Sequence, residues 1–191
     1  MQGLMQDWPL TVDKILDHAN TWYADREIVS RSVEGPIVRT TYGQVHDRAK
    51  RVSNVLLGLG IKPGDRVATL AWNTARHIEA WDGIMGIGAV CHTLNPRLFA
   101  EQLVYIINHA EDQIIFTDLT FLPILAGVRD KIPSVKHIIV FSDEAHLGDQ
   151  LPGALAYETL LAEAKPEATW GGFDENTAAG LCYTSGTTGN P

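Results

Sequence analysis

Near its end the chain runs Tyr183-Thr184-Ser185-Gly186-Thr187-Thr188-Gly189-Asn190-Pro191, a stretch with three threonines, one serine and two glycines. Side chains this small leave backbone N–H groups open, and the hydroxyls add donors around them. Those are the parts needed to hold phosphate oxygens. A flexible Ser/Thr/Gly linker would have a similar composition. Average residue usage, however, places the string Ser185-Gly186-Thr187-Thr188-Gly189 in roughly one chain of this length in ten thousand. Thr184, Ser185, Gly186, Thr187, Thr188 and Gly189 are therefore the candidate phosphate contacts. The stretch is not the Gly-x-x-x-x-Gly-Lys-Ser/Thr loop, because the spacing differs and no lysine lies inside it.

Holding such a loop requires a rigid support, and the pattern upstream supplies one. Thr177 to Tyr183 reads as a buried strand that leads straight into it. Earlier apolar runs begin at Val67, near Ala89, at Gln113 and at Lys136, at an interval of about 23 residues. Each gap holds a helix-like segment: Ala75 to Ile87, Phe99 to His109 and Thr120 to Lys131. Strand-helix-strand units at this spacing predict an α/β fold of repeated βα units, with a mostly parallel sheet covered on both faces. Ahead of them, Thr11 is placed to cap a helix with apolar positions Ile15, Leu16, Ala19 and Trp22. A hairpin of Glu27 to Arg31 and Ile37 to Thr41 turns at Glu34-Gly35-Pro36. Thr41 and Gln44 form a capping box for a helix whose stripe is Tyr42, Val45, Ala49, Val52, Leu56 and Leu59, with Gly60 at its end. Arg48, Lys50 and Arg51 lie off that stripe and are expected to face water. Ser142 to Pro152 reads as a polar loop, Leu155 to Ala164 as a helix and Lys165 to Asn176 as a connector.

Composition narrows the function. Of the 191 residues 45% are apolar and 20% charged, which suits one soluble domain with a substantial core. Fifteen basic against 23 acidic residues give a net charge of -8, the wrong sign for a nucleic-acid partner. No apolar run is long enough for a transmembrane segment, and Met1 to Leu10 has no signal-peptide pattern, so a cytoplasmic protein is expected. Cys91 and Cys182 lack metal-ligand spacing and are expected to be buried free thiols.

Thr184 to Pro191 resembles the phosphate loop of the adenylate-forming enzymes: acyl-CoA synthetases, luciferases and the adenylation domains of peptide synthetases. The resemblance extends upstream. Thr40-Thr41-Tyr42-Gly43-Gln44-Val45, Gly64-Asp65-Arg66-Val67-Ala68-Thr69-Leu70, Gly88-Ala89-Val90-Cys91-His92-Thr93-Leu94-Asn95-Pro96-Arg97-Leu98 and Tyr105-Ile106-Ile107-Asn108-His109-Ala110-Glu111-Asp112 are similar to stretches of medium- and long-chain fatty acyl-CoA synthetases and methylmercaptopropionate-CoA ligases.

The resemblance implies a two-step reaction: a carboxylic acid and ATP give an acyl-adenylate and pyrophosphate, then coenzyme A displaces AMP. It implies that Thr184, Ser185, Gly186, Thr187, Thr188 and Gly189 hold the phosphates and that Thr184 approaches Mg²⁺. Residues 1–191 then make up a partial N-terminal ATP/acyl-binding domain, ending within the phosphate loop. The catalytic residues, the adenine- and acyl-binding segments and the C-terminal domain are expected beyond Pro191, and the chain by itself is expected to be inactive. A homodimer is implied too, and Met5, Trp8, Pro9 and Leu10 outside any regular element agree with it. A non-catalytic binding or dimerisation module, or another adenylate-forming enzyme, is the alternative. Thr184 to Pro191 has little apolar surface and is expected to be poorly ordered in this chain.

Other residues invite sharper readings. Gly83-Ile84-Met85-Gly86-Ile87-Gly88 has the wrong glycine order for a dinucleotide loop and closes a helix, so close helix packing is expected. His77 and His109 are expected to pack or cap. His92 is expected to be a satisfied core histidine, although its place near a strand's C-terminal end keeps a ligand role open. Trp72, Trp81 and Trp170 are expected in the core or an interface, and Asp118 is expected to cap a helix.

Overall fold

The computed structural model describes residues 3–5 and 7–184. Helix α1, Asp13–Tyr23, precedes a hairpin of β1, Glu27–Arg31, and β2, Ile37–Thr41, paired Glu27 to Thr41 and Arg31 to Ile37. Helix α2, Tyr42–Gly58, starts from the capping box: Gln44 N–H donates to Thr41 Oγ1 at 3.3 Å, and Thr41 N–H donates to Gln44 Oε1 at 3.0 Å. Gly60, at a φ of 86°, turns the chain out of it.

The expected βα units follow: β3, Arg66–Leu70; α3, Ala75–Gly86; β4, Val90–Thr93; α4, Ala100–Ala110; β5, Ile114–Thr117; α5, Leu122–Val128; and β6, His137–Val140. Then come α6, Glu144–Leu147; β7, Leu155–Ala156; α7, Tyr157–Glu163; and β8, Gly180–Leu181. Among the described residues the main sheet is six-stranded in the order β7-β6-β5-β3-β4-β8, with every pair parallel. Because strand side chains alternate, each strand feeds both faces. Ala68, Leu70, Ile115, Ile138 and Val140 pack against Leu103, Ile106 and Ile107 of α4 and Leu125 of α5. Val67, Cys91, Ile114, Phe116 and Ile139 meet Val52 and Leu56 of α2, Ala80 and Ile84 of α3, and Tyr157 and Leu161 of α7. Burial on both faces is what an all-parallel sheet demands.

Several expectations need correction. Thr11 does not cap α1: Val12 already has helical dihedrals, Thr11 takes up the first-turn N–H of Lys14 with its carbonyl, and its hydroxyl accepts from Lys14 Nζ. Of the α1 stripe Leu16 is buried, whereas Ile15 and Trp22 are exposed. The polar loop after Ser142 contains α6, capped by Asp143 Oδ1, which accepts from His146 N–H at 2.9 Å. The segment from Leu155 is not helical throughout, because Leu155 and Ala156 first pair with Ile139 and Val140. The strand expected from Thr177 to Tyr183 shrinks to Gly180–Leu181, a half-exposed edge strand that pairs only with β4.

Arg48, Lys50 and Arg51 do not simply face water. The chain after α7 lies back over that side of α2. Arg51 Nη1 donates to the Ala164 carbonyl at 2.7 Å and Lys50 Nζ to Ala168 at 3.1 Å, while Asn54 Nδ2 donates to Lys165 and Glu167. The connector is thereby a strap, pinned where Lys50 Nζ sits 3.8 Å over the Trp170 ring.

The glycines of α3 behave as expected. A Cβ on Gly83 would stand 2.7 Å from Val52 of α2, and one on Gly86 would stand 2.5 Å from the Trp170 indole. No helix among the described residues is long and apolar enough to cross a membrane.

Candidate functional site

All strands of the main sheet run the same way, so their C-terminal ends form one edge, where open α/β sheets bind ligands. β8 delivers Thr184 to that edge. Its partners are fixed by register, Gly180 opposite Cys91 and Leu181 opposite His92. Thr184 is exposed there. Ser185, Gly186, Thr187, Thr188 and Gly189, together with the expectation about their order, lie outside the described residues.

Below Thr184 the chain is tied to α4. The Tyr183 hydroxyl and His109 Nδ1 share a hydrogen bond of 2.5 Å, and His109 stacks on Tyr105. Burial raises the Tyr183 phenol above its ordinary value, so the hydroxyl keeps its proton at neutral pH. On the sheet side the Tyr183 ring lies 5.2 Å from that of His92. His92 is wholly buried; its Nδ1 lies 2.8 and 3.0 Å from the two oxygens of Asp112, itself wholly buried. Nδ1 therefore carries a proton and donates it to the carboxylate. Burial pushes the Asp112 carboxyl up, and its bond to His92 pulls the other way. Among the described residues His92 Nε2 has no hydrogen-bond partner. The expectation of a satisfied core histidine holds for one ring nitrogen only.

A second concavity occupies the same edge. Strands β4 and β5 lie on opposite sides of β3, so the loops after β3 and β5 diverge and leave a crevice of about 550 Å³. The hairpin, the first turns of α2 and the N-terminus of α3 close it. Sequence reasoning missed this crevice, for no motif marks it. Its floor is an ion-pair network. Arg48 Nε donates to Glu79 Oε1 at 2.9 Å and Nη2 to Glu158 at 3.0 Å; Arg76 donates to Glu158 at 2.8 Å and to Glu34 at 2.7 Å. The buried Tyr157 hydroxyl donates to Glu79 Oε2 at 2.7 Å. Burial raises the Glu79 carboxyl despite Arg48. For Glu34 burial acts in the same upward sense, but the Arg76 guanidinium outweighs it and holds the carboxyl low. Arg48 and Arg76 are thus spent on carboxylates, and the third guanidinium lining the crevice, Arg39, pairs with Glu27 at its exposed rim.

Asp118 does not cap the turn after β5. Its carboxylate reaches back to accept from Trp72 N–H at 2.6 Å, fixing the β3–α3 loop, and burial pushes its carboxyl up to about 6. His77 packs as expected: Nδ1–H donates to the Trp72 carbonyl and Nε2 accepts from Trp81 Nε1, which leaves no lone pair for chemistry. Trp72 and Trp81 are exposed, so neither lies in this chain's core, whereas Trp170 packs on α2 and α3. Cys91 is buried, with burial pushing its thiol up to about 12, but Cys182 is exposed. Among the described residues no group of three or more His, Cys, Asp or Glu side chains could hold a metal ion.

Residues 16–191 match the family model described as AMP-binding enzyme. The whole chain is 47% identical to a 3-methylmercaptopropionyl-CoA ligase of Ruegeria lacuscaerulensis, covering 36% of that protein. It is 42% identical to a medium-chain-fatty-acid–CoA ligase of Ectopseudomonas oleovorans, covering 35%. Among solved structures, an anthranilate CoA ligase crystallised with anthranoyl-AMP superimposes with a TM-score of 0.82 at 22% identity, over 99% of this chain and 34% of that one. At that identity the likeness speaks for the fold. The chain thus spans about a third of the length of the curated relatives it matches.

Proposed function

The chain belongs to the AMP-binding enzyme family, and from that premise we propose that it is part of an ATP-dependent, AMP-forming carboxylic acid–CoA ligase. Residues 1–191 make up the N-terminal part of the large domain, and the remainder of the enzyme carries the catalytic residues. The observation that carries this reading is the identity of 47% and 42% to two acyl-CoA ligases over the full chain. The placement of Thr184 at the ligand-binding edge of a parallel sheet supports it.

In the proposed reaction a carboxylate oxygen attacks the α-phosphorus of ATP, the bond to the bridging oxygen breaks, and pyrophosphate departs with its electron pair. Coenzyme A then attacks the acyl carbonyl through its thiol, losing the thiol proton, and AMP leaves. The role assigned to Thr184, Ser185, Gly186, Thr187, Thr188 and Gly189 is to hold the β- and γ-phosphates. Donors fixed there stabilise charge that grows on the leaving group. The exposed hydroxyl of Thr184 is a hard donor of the kind Mg²⁺ takes alongside phosphate oxygens. Bound there, the ion would neutralise phosphate charge.

The test is pyrophosphate release by the full-length protein with ATP, CoA and short, medium and long carboxylic acids, with the 191-residue chain expected to be inactive. Thr187→Ala or Thr188→Ala should slow adenylate formation about 10²-fold and leave thiol attack on preformed acyl-adenylate nearly untouched. Equal losses in both steps would withdraw the phosphate-holding role. Homodimer formation belongs to the same proposal: Met5, Trp8 and Leu10 do not pack on the chain's own core but are exposed. Light scattering at twice the monomer mass is the expected result.

A further inference from the structure

β8 is a thin support. It has two residues, both paired on one side only and neither fully buried, so the backbone ladder alone holds the chain loosely where it leaves the sheet. The side chain of Tyr183 makes up the difference. It reaches across β4, packs against the cluster under α4, and ends in the bond to His109. Its ring meets that of His92, whose orientation is set from the far side by Asp112.

A buried His–Asp pair costs more than two packed apolar side chains of similar size would, which asks for a reason. The pair is not a base poised for catalysis. Neither His92 nor Asp112 has any exposed surface among the described residues, so neither side chain faces a surface where a substrate could sit. What a hydrogen-bonded pair provides, and an apolar pair does not, is one fixed ring orientation. Asp112 stands just before β5 and His109 ends α4, so Tyr183 is gripped by two rigid elements that do not belong to its own strand.

We propose that Tyr183 is the positioning residue of the phosphate loop, held by His109 at its hydroxyl and by the His92–Asp112 pair at its ring. The proposal rests on the ligase reading for its kinetic consequence, but not for its structural one. Tyr183→Phe keeps the ring and deletes the hydroxyl, and His109→Ala deletes the partner. In the full-length protein each should raise the KM for ATP in ATP–pyrophosphate exchange about fivefold, the loss expected for one hydrogen bond. Thioester formation from preformed acyl-adenylate and the urea midpoint should both be preserved. Because the two substitutions break the same bond, the double variant should be no worse than the worse single one. An unchanged KM for ATP, equal losses in both half-reactions, or losses that multiply in the double variant would each overturn the proposal.

Amide hydrogen exchange on the 191-residue chain gives a readout independent of catalysis. Exchange over residues 182–184 should be at least fivefold faster in Tyr183→Phe than in the parent chain, with β3 and β5 unchanged. Equal rates there, including rates already unprotected in the parent, would overturn the proposal. A full-length protein that releases no pyrophosphate with any acid would remove the ligase reading, and the exchange experiment would then decide the anchor by itself.

Discussion

Replacing Gly83 by alanine puts two opposed effects in competition. In an ordinary helix interior the change stabilises by about 0.5–1 kcal/mol, because alanine loses less backbone freedom on folding. At Gly83 the new Cβ would lie 2.7 Å from Val52 Cβ and Cγ1 and 2.8 Å from the Ala49 carbonyl oxygen. A Cγ can rotate away, but a Cβ and a carbonyl move only with α2 itself. Relieving the contact requires the helices to part by roughly 0.5–1 Å, which forfeits a quarter to a half of the dispersion energy along their seam. The same movement stretches the buried bond from Ser53 Oγ to the Gly83 carbonyl, now 2.7 Å. Overpacking of this kind costs about 1–3 kcal/mol, so the clash outweighs the backbone gain and the net loss should be about 1 kcal/mol. Gly127 in α5 is the control. A Cβ there meets nothing within 4 Å, and Gly127→Ala should gain about 0.5 kcal/mol. Urea unfolding of the three proteins, with equal slopes, measures both. A Gly83→Ala chain as stable as the parent would refute the close α2–α3 approach.

Three further outcomes are expected. Burial, with a smaller push from Asp17, lifts the Asp82 carboxyl from 3.8 to about 7. The native state then holds an extra proton between about pH 4 and 7, so stability falls as pH rises through that window, by at most about 4 kcal/mol. Asp82→Asn should remove the fall in pH-dependent unfolding midpoints, and an unchanged slope would discount the buried carboxyl. Tyr157→Phe leaves Glu79 Oε2 without its buried donor and should cost about 2 kcal/mol in the same assay; a loss under about 0.5 kcal/mol would mean water replaces the phenol. A thiol reagent should label one cysteine, Cys182, in the folded chain and both only after unfolding, whereas rapid labelling of Cys91 would contradict its burial.

The capping box at Thr41 and Gln44, the hairpin and the parallel strands from β3 to β6 could be read directly, because each depends on neighbours close in sequence or on an unbroken apolar run. Arg48 and Lys50 could not. Their partners, Glu158 and Ala168, lie over a hundred residues away, and a helical wheel sees only its own helix. Asp118 has the residue type and position of a cap, whereas its partner, Trp72 N–H, comes from the adjoining strand's loop and leaves no local signal. β8 is shorter and more exposed than the run from Thr177 to Tyr183 predicts, since an apolar run announces a strand without saying whether it lies at the edge. For the phosphate contacts, composition was informative about chemistry and silent about what braces the loop: neither His92 nor Tyr183 belongs to any spacing rule.

The strap over α2 also bears on the order in which the molecule assembles. Pairing β8 with β4 joins residues roughly ninety apart in sequence, the sort of closure that slows folding of parallel sheets. Trp170 alters that search. Once its indole donates to Ser53 Oγ and Gly171 N–H reaches the Gly86 carbonyl, about ten residues separate a docked point from β8. By the logarithmic dependence of closure entropy on loop length, the shorter tether lowers the entropic cost of pairing by about 2 kcal/mol. Bare α3 glycines, by admitting the indole, thus make the last strand of the sheet a local event, completed after α2 and α3 have met and before Thr184 has a fixed place to occupy.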